Sequence, residues 1–141
     1  MTQSSYTEDD YCFACGKDNP IGLKLRFEDT EDGVHGTITL AKEYQGWPGI
    51  AHGGIICAML DETLFYTVNK KFPQASVTAE LNVRMKHAVP VGEPLELDGK
   101  FVLQKGRLIQ AVATVSTRDG KALAEGQGKF IIVKPHQKLE P

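Results

Sequence analysis

His52-Gly53-Gly54, followed by Asp61-Glu62, holds the residue types in this chain best suited to chemistry. His52 and the two glycines stand where a loop containing Pro48 and Gly49 gives way to a long apolar run, which marks a helix start. The first backbone N–H groups of a helix lack intrahelical partners and lie at the positive end of its dipole. Glycine lets a ligand approach them closely, and the arrangement suits a carbonyl oxygen that becomes negative during attack. The same tripeptide also serves as a flexible N-cap that binds nothing.

Asp61 and Glu62 are the only charged residues in the run 55–68. Burying an unpaired charge costs several kcal/mol, so at least one carboxylate must face solvent, a partner or a cleft. Neighbours on a helix point about 100° apart, so the two do not easily share one role. With Gly53 at the helix start, Asp61 lies about 12 Å further along the axis. Both features then serve one group only if a substrate runs along the helix or a second subunit supplies one of them. The alternative for Asp61 is a salt bridge to Arg84 or Lys86.

The elements that position these residues follow from periodicity. Residues 1–20 are polar and turn-rich and read as an arm. Leu23, Leu25 and Phe27 alternate with Lys24, Arg26 and Glu28, as in a half-buried strand. Val34, Gly36, Ile38 and Leu40 continue the alternation and predict a hairpin partner. The helix predicted from Gly53 to about Lys70 is apolar on nearly every side, so something must enclose it. Alternation then resumes on Val77, Ala79, Leu81, Val83 and Met85, opposed by Thr78, Glu80, Asn82, Arg84 and Lys86. Two further strands follow, on Leu95, Leu97, Gly99, Phe101 and Leu103, and on Ile109, Ala111, Ala113 and Val115. The last strand places Ala122, Ala124, Gly126, Gly128 and Phe130 on one face, small enough to let the helix lie close. Two strands, a helix and four strands predict an α+β fold, an antiparallel sheet of about six strands around one helix. Such a sheet has edges that a second subunit would protect.

At 141 residues the chain fits a single domain, expected over residues 21–135 with a tail at 136–141. A net charge of -2 offers no basic excess for nucleic acid, and no apolar stretch is long enough for a bilayer. The first residues lack the basic, apolar, small-residue order of a secretory signal, and three cysteines are an odd number, so a reducing cytoplasm is expected. Cys12-x-x-Cys15 supplies half a zinc site, but Cys57 lies in the helix and no histidine pair stands nearby. The two read as structural thiols, with no metal. His35, His87 and His136 receive no function.

Three stretches together resemble the hotdog-fold acyl-CoA thioesterases of the PaaI-like group: the run 12–23, the run Gln45-Gly46-Trp47-Pro48-Gly49-Ile50-Ala51-His52-Gly53-Gly54, and Leu60-Asp61-Glu62. The resemblance covers roughly residues 12–133, and its most specific part is His-Gly-Gly with an acid nine positions after the His. It implies a sheet wrapped around a central helix, and homodimers or homotetramers with sites at subunit interfaces. Asp61 would be the catalytic carboxylate, as base or nucleophile, with Glu62 its rival. Gly54, with Gly53 beside it, would polarise the thioester carbonyl, and His52 would shape the site. Some relatives carry Asn six residues before the His; here that position is Gly46, with Gln45 adjacent as a substitute. Trp47 is expected to pack the loop against the helix start or to border an acyl pocket. Arg84, Lys86, Lys105 and Arg107 are candidates for the phosphates of coenzyme A.

The expected activity is hydrolysis of an acyl-CoA to a free acid and coenzyme A, with no cofactor because thiolate is a good leaving group. The alternative is a noncatalytic acyl-CoA-binding or sensing module. Hydratase chemistry would call for a His and acid pair that His52 and Asp61 do not obviously make.

Overall fold

The computed structural model describes residues 9–133; the start of the expected arm and the tail at 136–141 lie outside them. Six strands form one antiparallel sheet: β1 (Glu28–Asp29), β2 (Gly33–Thr39), β3 (Ser76–Met85), β4 (Pro94–Lys105), β5 (Leu108–Thr117) and β6 (Ala122–Ile132). Their order across the sheet is β1-β2-β4-β5-β6-β3, and one helix, α1 (Gly53–Lys71), lies against it. This is the antiparallel sheet around one helix that the residues predict, and the hotdog arrangement that the resemblance implies, with β3 at one edge.

The helix sits where the sheet has little side chain. Ile56, Met59, Leu60, Thr63, Leu64, Thr67 and Val68 are buried, a three-four spacing that defines one stripe. Facing them on the sheet are Ala111, Ala113, Ala124, Gly126 and Gly128. A Cβ added at Gly126 would meet Leu60 at 3.3 Å, and one at Gly128 would meet Leu64 at 2.9 Å. The two hydroxyls in the stripe are satisfied by the helix itself, Thr63 Oγ1 donating to Met59 O and Thr67 Oγ1 to Thr63 O. The rest of α1 is less enclosed than its composition predicts: Ile55, Ala58, Phe65 and Tyr66 are only half-buried.

The first expected strand is mostly absent. Leu23 and Leu25 are buried as the alternation requires, but only Glu28 and Asp29 pair with β2. Lys24 adopts φ 54°, a left-handed conformation that breaks an extended run. The segment bonds instead to the arm, Leu23 N–H donating to Phe13 O at 2.8 Å and Leu25 N–H to Ala14 O at 2.9 Å. From Asp10 onward the arm is therefore part of the folded body.

Strands β2 and β4 carry a charged cross-strand pair. His35 stands opposite Asp98, with Nδ1 2.8 Å from Asp98 Oδ1 and Nε2 3.4 Å from Glu96 Oε2. The hydrogen bond to Asp98 raises His35 above its ordinary value of 6.5, outweighing the opposite effect of burial. A raised folded-state value means the contribution is complete below the unfolded value and is lost as pH climbs through the folded one. Urea unfolding of wild type and His35→Asn should therefore show a stability advantage for wild type near pH 6 that shrinks toward pH 8; a gap that widens with pH contradicts the assignment. Gly128→Val, which drives side-chain atoms into Leu64, should cost about 1–3 kcal/mol in the same measurement.

Candidate active site

A tight loop delivers the chain to the helix start. Gly46 N–H donates to Ile50 O at 2.8 Å, His52 N–H to Tyr44 O at 2.9 Å and Ala51 N–H to Val89 O at 2.8 Å. Gln45 Oε1 accepts from Gly49 N–H at 3.1 Å, so this end of its amide closes the loop. Trp47 does not pack against the helix start as expected. It is 81% exposed, in the turn that continues through Pro48 and Gly49, where Gly49 adopts a positive φ.

His52 is the N-cap of α1, extended at φ -61° and ψ 140°. Its Nδ1 accepts from Gly54 N–H at 2.8 Å, which requires the neutral ring with its proton on Nε2. Ile55 and Ile56 N–H both donate to His52 O. Gly53 N–H is thus the one first-turn donor without an acceptor among the described residues. The resemblance implied Gly54, with Gly53 beside it, for carbonyl polarisation; in the structure Gly54 N–H is engaged by His52 and Gly53 N–H is free. Gly53 opens into a cavity of about 340 Å³ with Ile50, Ile56, Met85 and His87.

Asp61 lies elsewhere. It lines a cavity of about 570 Å³ with Glu62, Phe65, Tyr66 and Thr78. Thr78 Oγ1 donates to Asp61 Oδ1 at 2.8 Å. Neither expected salt bridge forms: Lys86 Nζ pairs with Glu125 Oε1 at 2.8 Å, and Arg84 lies across the sheet with Asn82, Thr114 and Glu125. Asp61 and Glu62 share the cavity but diverge, Asp61 toward β3 and Glu62 toward the arm. There burial and then the neighbouring carboxylate of Glu62 push the Cys15 thiol up to about 12.

Thr78 is the site residue that alternation missed. Simple period-two reading puts it on the outer face with Glu80, Asn82 and Arg84. The β3–β6 register pairs Thr78 with Phe130 and Glu80 with Lys129, leaving Ala79 as an extra residue. That bulge reverses the phase, so Thr78 shares the helix-facing side with buried Phe130. No periodicity signal marks a one-residue bulge in advance.

The family model described as Thioesterase superfamily matches residues 48–124. Acyl-coenzyme A thioesterase THEM4 of Bos taurus is 31% identical over 94 residues, covering 66% of this chain and 38% of that protein. A crystal structure of a thioesterase superfamily protein aligns with a TM-score of 0.81 and 32% identity over 86% of this chain and 60% of that one. A Bacillus halodurans protein crystallised with CoA aligns at 0.71 and 25% identity, covering 81% and 77%. The E. coli PaaI protein aligns at 0.70 and 17% identity over 77% and 83%, a likeness of fold alone. The chain thus spans well under half the length of the curated bovine relative it matches. No described helix is long and apolar enough to cross a membrane. With the family match covering the end of the site loop, the helix and strands β3 to β5, this chain belongs to the thioesterase superfamily.

Proposed function

We propose that the protein hydrolyses an acyl-CoA thioester to a free carboxylic acid and coenzyme A. The observation that carries this reading is Asp61, a carboxylate on a largely apolar helix, held by the Thr78 hydroxyl at the wall of an open cavity. Asp61 takes the proton of a water that attacks the thioester carbon, or attacks that carbon itself to give an acyl anhydride that water then hydrolyses to the free acid, restoring the carboxylate; Thr78 positions the carboxylate. The oxygen that becomes negative is met by Gly53 N–H, the free donor of the first turn. Coenzyme A leaves as thiolate, so the chemistry needs no cofactor. His52 keeps Gly54 engaged and fixes the shape of the turn.

Gly53 and Asp61 lie about 12 Å apart along α1 and open into different cavities, so one subunit does not complete a site. Strand β3 links the two. Thr78, beside Asp61, stands near one end, and Met85, beside Gly53, at the other. Its outer edge has no strand partner among the described residues. Antiparallel pairing of two β3 edges, centred near Leu81, sets the Thr78 end of one protomer beside the partner's Met85. Each site then combines Asp61 with the partner's Gly53, and a homodimer, or a tetramer built from two, is the active form. The single domain of residues 21–135 is completed by the bonded part of the arm, and three free thiols suit a reducing cytoplasm. Gln45, Trp47 and Glu62 border the substrate, while Arg84, on the outer sheet face, is placed only for the charged end of coenzyme A. One observation favours binding without turnover: Gly46 offers no side chain, and Gln45 Oε1 is held by the loop.

Thiol release from short, medium, long and aryl acyl-CoAs tests the reading. Asp61→Asn should lower the rate about 10²–10⁴-fold, while Glu62→Gln leaves it far less affected. Thr78→Val should cost about tenfold, the order expected for a hydrogen bond to a charged group. Release unaffected by Asp61→Asn contradicts the assignment, and tight binding without release from any substrate favours the binding module. Mixing inactive Asp61→Asn and Gly53→Pro chains tests the shared site. Proline suits the first helical position after an extended residue and removes the N–H, while its Cβ meets Met85 only at ordinary contact distance. Random reassociation should restore about a quarter of wild-type activity, whereas sites within single chains restore none.

A further inference from the structure

We infer that Cys12, Cys15 and Glu62 form a binding site for a single zinc ion that fastens the arm to α1 beside the candidate active site. The two sulfurs and a Glu62 carboxylate oxygen all lie within 4.8 Å of one another. A tetrahedral zinc with sulfur at about 2.3 Å and oxygen at about 2.1 Å holds its donors about 3.5–3.8 Å apart, so the trio needs a contraction of about 1 Å at most. Two soft thiolates with one carboxylate favour zinc over magnesium or calcium, which prefer all-oxygen shells. Three protein donors leave a fourth position for water.

The thiols are presented by a turn whose geometry is fixed without them. Gly16 N–H donates to Cys12 O at 2.8 Å, and a Cβ at Gly16 would run into the backbone of Cys12 and the carbonyl of Asp10. Only glycine lets the chain fold back so tightly after Cys15. Buried Asn19 clamps the turn from both sides, its Nδ2 donating to Tyr11 O at 3.1 Å and its Oδ1 accepting from Ile21 N–H at 3.0 Å. Arg26 Nη1 donates to Cys15 O at 2.7 Å. A turn held this firmly loses little freedom when an ion binds. The third donor comes from a different element, so the ion joins the arm and α1 across 47 or more positions of sequence. A search for paired cysteines and histidines passes over such a donor set, because its third member is a lone glutamate on a helix.

Binding displaces one proton from each thiol, so a dication and three ligands give a complex with two protons released. The site shares Glu62 and its cavity with the hydrolysis proposed above, and its test reads metal binding directly, without any turnover. Cobalt(II) titrated into the fully reduced chain should give near-ultraviolet thiolate-to-cobalt absorption and tetrahedral visible bands, saturating at one ion per chain and abolished by added zinc. Cys12→Ser and Cys15→Ser should each remove the absorption, and Glu62→Gln should weaken affinity about tenfold or more. Cys57→Ser should change nothing. Should a cysteine variant fail to fold, alkylation of the wild type provides the same answer: zinc should protect Cys12 and Cys15 and leave Cys57 unaffected. Absence of thiolate-to-cobalt absorption in the reduced chain, absorption that survives loss of Cys12 or Cys15, unchanged affinity in Glu62→Gln, or ready formation of a Cys12–Cys15 disulfide in the presence of saturating zinc would each overturn the assignment.

Discussion

A nineteen-residue helix can lie in the bend of a sheet only where the sheet withholds its own side chains, and this molecule rests on that condition. Gly126 and Gly128 give Leu60 and Leu64 a surface to press against, and Ala111, Ala113 and Ala124 extend it. Close approach brings the dispersion contacts and water exclusion that a bulkier face would prevent. Thr63 and Thr67 enter the same contact because the helix carbonyls absorb their hydroxyls. With the stripe fixed, the azimuth of every other residue on α1 is fixed too. Asp61 must point toward β3 and Glu62 toward the arm.

The proposed chemistry follows from that azimuth rather than from any residue acting alone. At its first turn the helix presents one free donor, and two turns later one positioned carboxylate, too far apart to act on the same atom. The fold keeps both at the margins of β3, the edge strand, where a second copy can bring complementary halves together. The half-buried face of α1, with Ile55, Ala58, Phe65 and Tyr66, is apolar surface that the proposed pairing of two copies would help to cover.

Much of this was legible in the residues. The helix bounds, the small-residue face of β6, the number of strands and their grouping all followed from periodicity, since each is a local pattern repeated many times. The failures came where one residue changes the outcome. Lys24, with its left-handed φ, removes most of a strand whose alternation is otherwise intact. At the helix start, spacing alone does not say which first-turn N–H His52 engages, and the structure has it take Gly54. Trp47 follows a turn direction that composition does not encode. The convergence of Glu62 on Cys12 and Cys15 is tertiary, joining segments that sequence reading treats as separate.

The bulge at Ala79 makes β3 a strand with two reading frames. Before it, even-numbered positions face the helix; after it, odd-numbered ones do, as the pairings Thr78 with Phe130 and Leu81 with Gly128 require. A substitution pattern learned on one half is therefore inverted on the other. A relative with the same helix and the same number of residues, but with the residue at Ala79 paired in the ladder instead of bulged, would keep the carboxylate of Asp61 and turn its hydroxyl partner to the opposite side of the sheet. Loss of that contact would leave no trace in any residue of the site itself.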